Sequence, residues 1–185
     1  MRLLSGVESS VLWLSQATPH VMDNLKREAA ARGIPSDRLV FAPFTSSNED
    51  HLARLSLADL FLDTQPYNAH ASACDAIWAG VPMVTALGKV FAGRVGASIL
   101  TAAGLPELIA SSLSDYETLA FRLARDPAAL NTIRAKLAAN RASAPLFDTA
   151  RFTRNLEAAY NTMWEGYCRG QSPTSFKVSD AALSS

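Results

Sequence analysis

Four short apolar runs divide the first half of this chain: SVLWL (Ser10–Leu14), LVFA (Leu39–Ala42), LFLD (Leu60–Asp63) and MVT (Met83–Thr85). None alternates apolar with polar residues, and each is too short for a helix. Such runs are expected of parallel strands covered on both faces. Stretches of helical periodicity lie between them. In HVMDNLKREAAARG, Val21, Leu25 and Ala29 fall on one face, with Gly33 placed as a C-cap. In SSNEDHLARLSLA, Ser47 or Asn48 can cap a helix whose first turn carries Glu49 and Asp50, where the helix dipole favours negative charge. A third, short helix is expected from about Ala71 to Ala79, ended by Gly80 with Pro82 just beyond. Strand and helix alternating in this way imply βαβ units with right-handed crossovers. The fold class is therefore α/β: a Rossmann-like parallel sheet flanked by helices.

The second half reads as helical: 93–103, 114–125, 127–142 with Pro127 in the first turn, and a long final helix over 148–169. On that last helix Phe152, Leu156, Tyr160, Met163, Trp164 and Tyr167 form a stripe expected to lie against the rest of the domain. Trp13, Trp78 and Trp164 all read as core residues. One domain over residues 1–170 is expected, with a loose polar tail over 171–185.

With 49% hydrophobic and 18% charged residues, the chain has enough apolar surface for a real core. Its net charge of zero leaves no general field for nucleic acid or an anionic membrane. No stretch approaches the roughly 18 apolar residues of a membrane span. The opening MRLLSGVESSVLWLSQA is interrupted by Glu8 and polar neighbours, which argues against a signal peptide. Cys74 and Cys168 match no disulfide or zinc spacing. A soluble, cytoplasmic protein is expected.

Function concentrates in DTQPYNAHASACDAIWAGVPMV, residues 63–84. In an open parallel sheet, ligands bind beyond the carboxyl ends of strands, where loops enter helices. Small residues at Ala69, Ala71, Ser72 and Ala73 let a ligand approach the backbone. The free N–H groups of the first helical turn then form an anion site. His70 can donate to a phosphate oxygen and Ser72 can add a hydroxyl. Asp75 repels phosphate, but one turn along it can accept from a sugar hydroxyl. The competing reading is a plain helix cap with a solvated Asp75, since the stretch is neither a GxGxxG nor a P-loop.

His51 and Arg54 share one face of the preceding helix and could flank the same crevice, the imidazole stacking on a base and the guanidinium bonding a carbonyl or phosphate. A solvated helix face is the alternative. Lys89 and Arg94, in GKVFAGR, form a further basic pair near a strand end, and a solvated loop explains them equally well. Three scattered histidines and the absence of paired carboxylates give no metal site. Asp59 and Asp63 are read as closing turns, and Cys74 as a buried thiol.

The segments SVLWL, RLVFAPF, EDHLARLSLADLFLDTQPYNAHASACDAIWAGVPMVTALGKVFAGRVGASIL and APLFDTARFTRNLEAAYNTMWEGY resemble the C-terminal, UDP-binding half of the O-linked N-acetylglucosamine transferase family, SPINDLY-like glycosyltransferases. The likeness runs from about Ser10 to Tyr167 and rests on D-x6-H-x4-D-x2-W-A-G-x-P-M-V-T, followed by APLFD. It implies the C-terminal half of a GT-B fold, with UDP-N-acetylglucosamine (UDP-GlcNAc) as donor substrate and no required cofactor. By position, His51 and Arg54 match the family's uridine contacts. His70, Ala71 and Ser72 match its diphosphate-binding helix tip, and Asp75 its ribose-binding acid. Three positions depart from the pattern: Ala71 and Ser72 replace a pair of threonines, and Asn48 stands where the family carries a lysine near the base.

The resemblance also implies that the N-terminal Rossmann half, the acceptor-binding repeats and an upstream phosphate-contacting lysine are missing here. Half a cleft can bind the donor but is expected to be inactive alone, because transfer needs both halves. The expected function is donor binding in a protein O-GlcNAc transferase that inverts on transfer to Ser or Thr. A non-catalytic remnant or interaction module is the alternative, and a dinucleotide domain is disfavoured by the missing GxGxxG. Expected partners are the UDP-sugar, an acceptor protein met through the missing region, and a second copy through the exposed cleft face, with no nucleic acid or membrane.

Overall fold

The structure, a computed structural model, describes residues 1–178. A short helix α1 (Arg2–Gly6) leads into β1 (Leu12–Ser15), α2 (Pro19–Ala30), β2 (Leu39–Ala42) and α3 (Asn48–Leu55). Then follow β3 (Phe61–Leu62), α4 (Ala71–Trp78), β4 (Met83–Ala86), α5 (Val95–Ala102) and β5 (Ile109–Ala110). The chain ends in α6 (Leu113–Arg125), α7 (Pro127–Asn140) and the long α8 (Thr149–Cys168). Residues 171–178 carry no regular secondary structure, and the rest of the tail expected over 171–185 lies outside the described residues. Among the described residues no helix is long and apolar enough to cross a membrane.

All strand pairings are parallel, as the α/β reading requires. They form two ladders rather than one: β1 with β2, Leu12 opposite Leu39, and β3-β4-β5, with Phe61 opposite Met83 and Thr85 opposite Ile109. Only β4 has the burial on both faces that its unalternating sequence implies, because α4, α5 and α6 all pack on it. β1 and β2 are only partly covered, and Val40 remains exposed.

The larger core joins Ile77 of α4, Met83 and Val84 of β4, Leu100 of α5, Leu123 of α6 and Leu137 of α7. Each such side chain contributes about 1.5–3 kcal/mol on full burial. A smaller cluster of Leu4, Ala29, Ile34 and Leu39 sits beneath the β1–β2 ladder. Local chemistry sets the helix starts. Ser47, Ser112, Asp126 and Asp148 each accept a backbone N–H from the first turn that follows, at 2.9–3.1 Å. α4 stops at Gly80, whose φ of +85° lets the Val81 N–H reach back to the Ala76 carbonyl at 2.9 Å. That turn feeds the chain directly into β4.

The face of α8 is a correction. Its six-residue apolar stripe was expected to cover the domain, yet Trp164 is 65% and Tyr167 76% exposed, and none of its described residues is buried. The main packing partner of α8 is the single turn Pro145–Phe147. Amphipathic spacing shows that a helix has an apolar face but not what covers it. Trp78 is corrected too. It is 46% exposed, edge-on to Phe147 at 4.9 Å and beneath the Arg141 guanidinium at 5.5 Å. Trp164→Ser is therefore expected to change the unfolding free energy of this chain by no more than about 0.5 kcal/mol. Chemical denaturation measures it, and a loss of about 2 kcal/mol or more would mean that the stripe is buried after all.

Candidate functional site

Helices α3 and α4 follow β2 and β3 in the chain and pack against each other. At the end of β2 the loop 43–47 and the start of α3 enclose a cleft of roughly 440 Å³, lined by Gln16, Thr45, Asn48, His51 and Arg54 among others. Arg54 is anchored in its wall. One guanidinium nitrogen donates to the Pro43 carbonyl, the group lies 5.8 Å above the Trp13 ring, and Nε is buried with no partner among the described residues.

His51 reaches across to α4. Its Nε2 stands 3.6 Å from Asp75 Oδ2, with both side chains partly exposed. The carboxylate that the sequence placed one turn into α4 therefore stands against the imidazole of α3, which lines the cleft.

His70 is the residue at the mouth of α4. Its side chain makes no capping bond. Instead the imidazole lies against the Tyr67 ring, 5.0 Å between centroids at 15°, while Phe91 meets its edge at 6.4 Å and 87°. Nε2 is buried and without a hydrogen-bond partner among the described residues. A buried nitrogen left this way costs about 1–3 kcal/mol, so its position favours a ligand that bonds to it. Beside it, Ala71 and Ser72 are exposed at the N-terminus of the helix, where unpaired N–H groups and the dipole attract anions. Cys74 lies behind them. Burial first, then the charge of Asp75, pushes its thiol pKa up, away from nucleophile chemistry.

Geometry and sequence pattern together select among known proteins. The family described as Glycosyl transferase family 41 matches residues 1–156. The chain belongs to this family. It is 39% identical over 95% of its length to a probable UDP-N-acetylglucosamine–peptide N-acetylglucosaminyltransferase, SEC, of Arabidopsis thaliana, and covers 18% of that protein. It is 35% identical over 92% of its length to a UDP-N-acetylglucosamine–peptide N-acetylglucosaminyltransferase of Caenorhabditis elegans, covering 15% of it. A mutant O-GlcNAc transferase of Thermobaculum terrenum superposes with a TM-score of 0.85 at 32% identity, over 91% of this chain and 33% of that one. The family 41 chain thus spans less than a fifth of these two relatives and a third of the solved structure.

Within this family 41 chain the sequence-derived residues fall into two groups. His51 and Arg54 line the cleft, with Asp75 against His51, while His70, Ala71 and Ser72 form the α4 tip and do not line it. Lys89 and Arg94 remain exposed on a loop closed by the Gly88 N–H to Gly93 carbonyl bond at 2.7 Å. What that loop brings to the site is Phe91 rather than its charges. Sequence reasoning missed Tyr67 and Phe91, and it missed the buried polar side chains beneath the loop: Asp63, Asn68 and Thr85. The one available signal was a polar residue inside an otherwise apolar run, Asp63 after LFL and Thr85 after MV.

Proposed function

We propose that this chain is the donor-binding half of a protein O-GlcNAc transferase, and that its donor is UDP-GlcNAc. The observation that carries the reading is the buried Nε2 of His70, without a partner among the described residues, at an open helix N-terminus on the helix whose Asp75 meets His51. In this reading the diphosphate sits at the α4 tip, bonded by His70, the Ser72 hydroxyl and the backbone N–H groups of Ala71 and Ser72. Asp75 accepts from the ribose, while His51 and Arg54 hold the base. The names of the relatives support this donor and a peptide acceptor.

In transfer, a Ser or Thr hydroxyl oxygen attacks the anomeric carbon from the face opposite UDP. The bond from that carbon to the β-phosphate oxygen breaks, UDP departs with the electron pair, and the configuration inverts. The charge that develops on UDP is met by donors already aimed at it, so no resident metal or cofactor is needed. The acceptor proton goes to a base outside the residues named here. Completion by an upstream half, a protein acceptor engaged there and a cytoplasmic setting all belong to the same proposal. So does self-association of the chain alone through apolar surface such as Phe44 and Phe91, both exposed. A non-catalytic interaction module is the second reading, favoured by Ala71, which presents only its backbone at the helix tip.

Calorimetric titration of UDP, with ADP as the control, tests the reading. Saturable binding of UDP is expected, with ADP at least about tenfold weaker, equivalent to about 1.4 kcal/mol of base discrimination. No binding at millimolar UDP by a chain shown to be folded would favour the interaction module. Light scattering on the same sample reads the self-association.

A further inference from the structure

The loop that delivers His70 is held from beneath by a buried carboxylate that touches no cation among the described residues. Asp63 is 5% exposed. Its Oδ1 accepts the backbone N–H of Thr64 at 2.9 Å and that of Ala69, the residue before His70, at 2.7 Å. Its Oδ2 accepts the Thr85 hydroxyl at 2.6 Å. The Tyr116 hydroxyl of α6 donates to the Asp63 backbone carbonyl at 3.0 Å. Asn68, 1% exposed, completes the frame: its amide donates to the Thr64 carbonyl at 2.8 Å and its oxygen accepts the Gly96 N–H at 3.2 Å.

Leaving an ionised carboxylate buried without a cation is expensive unless hydrogen bonds satisfy it. Three donors converge on Asp63, and two of them are the backbone at either end of the 64–69 loop. That loop carries Tyr67, which stacks on the imidazole, and it ends at His70. A substrate-facing side chain must be held within about half an ångström to act, and its supporting bonds decide whether it is. Tyr67 and Phe91 fix the plane of the imidazole, and the Ala69 bond fixes the backbone beneath it.

We propose that Asp63 is a positioning residue for His70: its carboxylate sets the backbone on which the imidazole stands, and with it the diphosphate-binding geometry of the α4 tip. The inference rests on the donor-half reading, and its test separates the two. In Asp63→Asn a neutral amide replaces the carboxylate. It bonds the Ala69 and Thr64 N–H groups more weakly and turns a donor toward Thr85. UDP binding is expected to weaken about five- to tenfold, while uridine, which lacks the diphosphate, changes less than about twofold. Asp63→Asn combined with His70→Ala should bind UDP no more weakly than His70→Ala alone, because both act through the same contact.

A second readout needs no nucleotide. Diethyl pyrocarbonate modifies accessible imidazole nitrogens, and mass spectrometry can compare His70 with the exposed His20 in one sample. In the parent chain His70 should react slowly, since its Nε2 is buried. In Asp63→Asn the His70-to-His20 rate ratio should rise several-fold. If the parent chain binds no UDP, the donor-half reading fails, and this ratio still decides whether Asp63 orders His70. Thr85→Val removes only the hydroxyl on Oδ2 and should move both readouts the same way by less. It serves if Asp63→Asn does not fold. An unchanged ratio in a folded variant, equal losses for uridine and UDP, or tighter UDP binding from the removal of a like charge would each overturn the proposal.

Discussion

Replacing His70 with alanine is expected to raise the dissociation constant of this chain for UDP by about ten- to a hundredfold while leaving uridine within about twofold. The magnitude follows from the bond at stake. A hydrogen bond to a charged group is worth about 1.5–3 kcal/mol, and each 1.4 kcal/mol is tenfold in affinity. The imidazole is already held between the Tyr67 face at 5.0 Å and the Phe91 edge at 6.4 Å. Little side-chain entropy remains to be lost on binding. The fold should tolerate the change, because the side chain makes no capping bond and Nε2 satisfies no other group. Calorimetry with both ligands reads the result. Equal weakening of UDP and uridine would move the diphosphate away from α4, and no weakening of UDP would remove His70 from the site.

The largest expected effect on stability comes from adding one methyl group. In Gly96→Ala the new Cβ would stand 2.2 Å from Asp63 Oδ2 and 2.6 Å from Thr85 Oγ1. Neither can move aside cheaply. They are bonded to each other, Asp63 also holds the Thr64 and Ala69 N–H groups, and Gly96 itself is tied to Asn68. Overpacking a filled site costs about 1–3 kcal/mol, and each displaced hydrogen bond adds about 1 kcal/mol. A loss of about 3 kcal/mol is expected, a fall in melting temperature of roughly 6–12 °C for a chain of this length. The control is Gly166→Ala on α8, where the nearest atom to the new Cβ is Gln171 Oε1 at 3.5 Å. There, helix propensity should leave stability unchanged or raise it by up to about 1 kcal/mol. Thermal unfolding of both variants checks the contrast, and equal melting temperatures would mean that the packing around Gly96 is loose.

The correct and the missed readings differ in the range of the interactions behind them. The start of α3 was legible because Ser47 bonds to an N–H group only three residues away, and that of α7 because Pro127 fits a first helical turn. The α4 stop was legible because Gly80 alone supplies the positive φ that the turn needs. His70, Ala71, Ser72 and Asp75 were legible as candidates because a helix that follows a strand places its first turn at the strand's carboxyl end. β5 escaped notice because two residues, Ile109 and Ala110, carry no periodicity, and only pairing with Thr85 and Ala86 makes them a strand.

What the sequence determined by itself was the alternation of strand and helix, the caps that bound the helices, and the helix tip on which the candidate anion-binding residues stand. Each of these is settled by residues within a turn or two of one another. Only the tertiary structure decided that Asp63 works as a buried anchor rather than a simple turn residue. Its partners Thr85 and Tyr116 lie 22 and 53 residues further on, and the intervening crossovers have to form before they can meet. Only it could decide that His51 faces Asp75 across two helices, and that the apolar stripe of α8 is left open. Periodicity specifies that a face exists, but what lies opposite that face is a property of the packed chain.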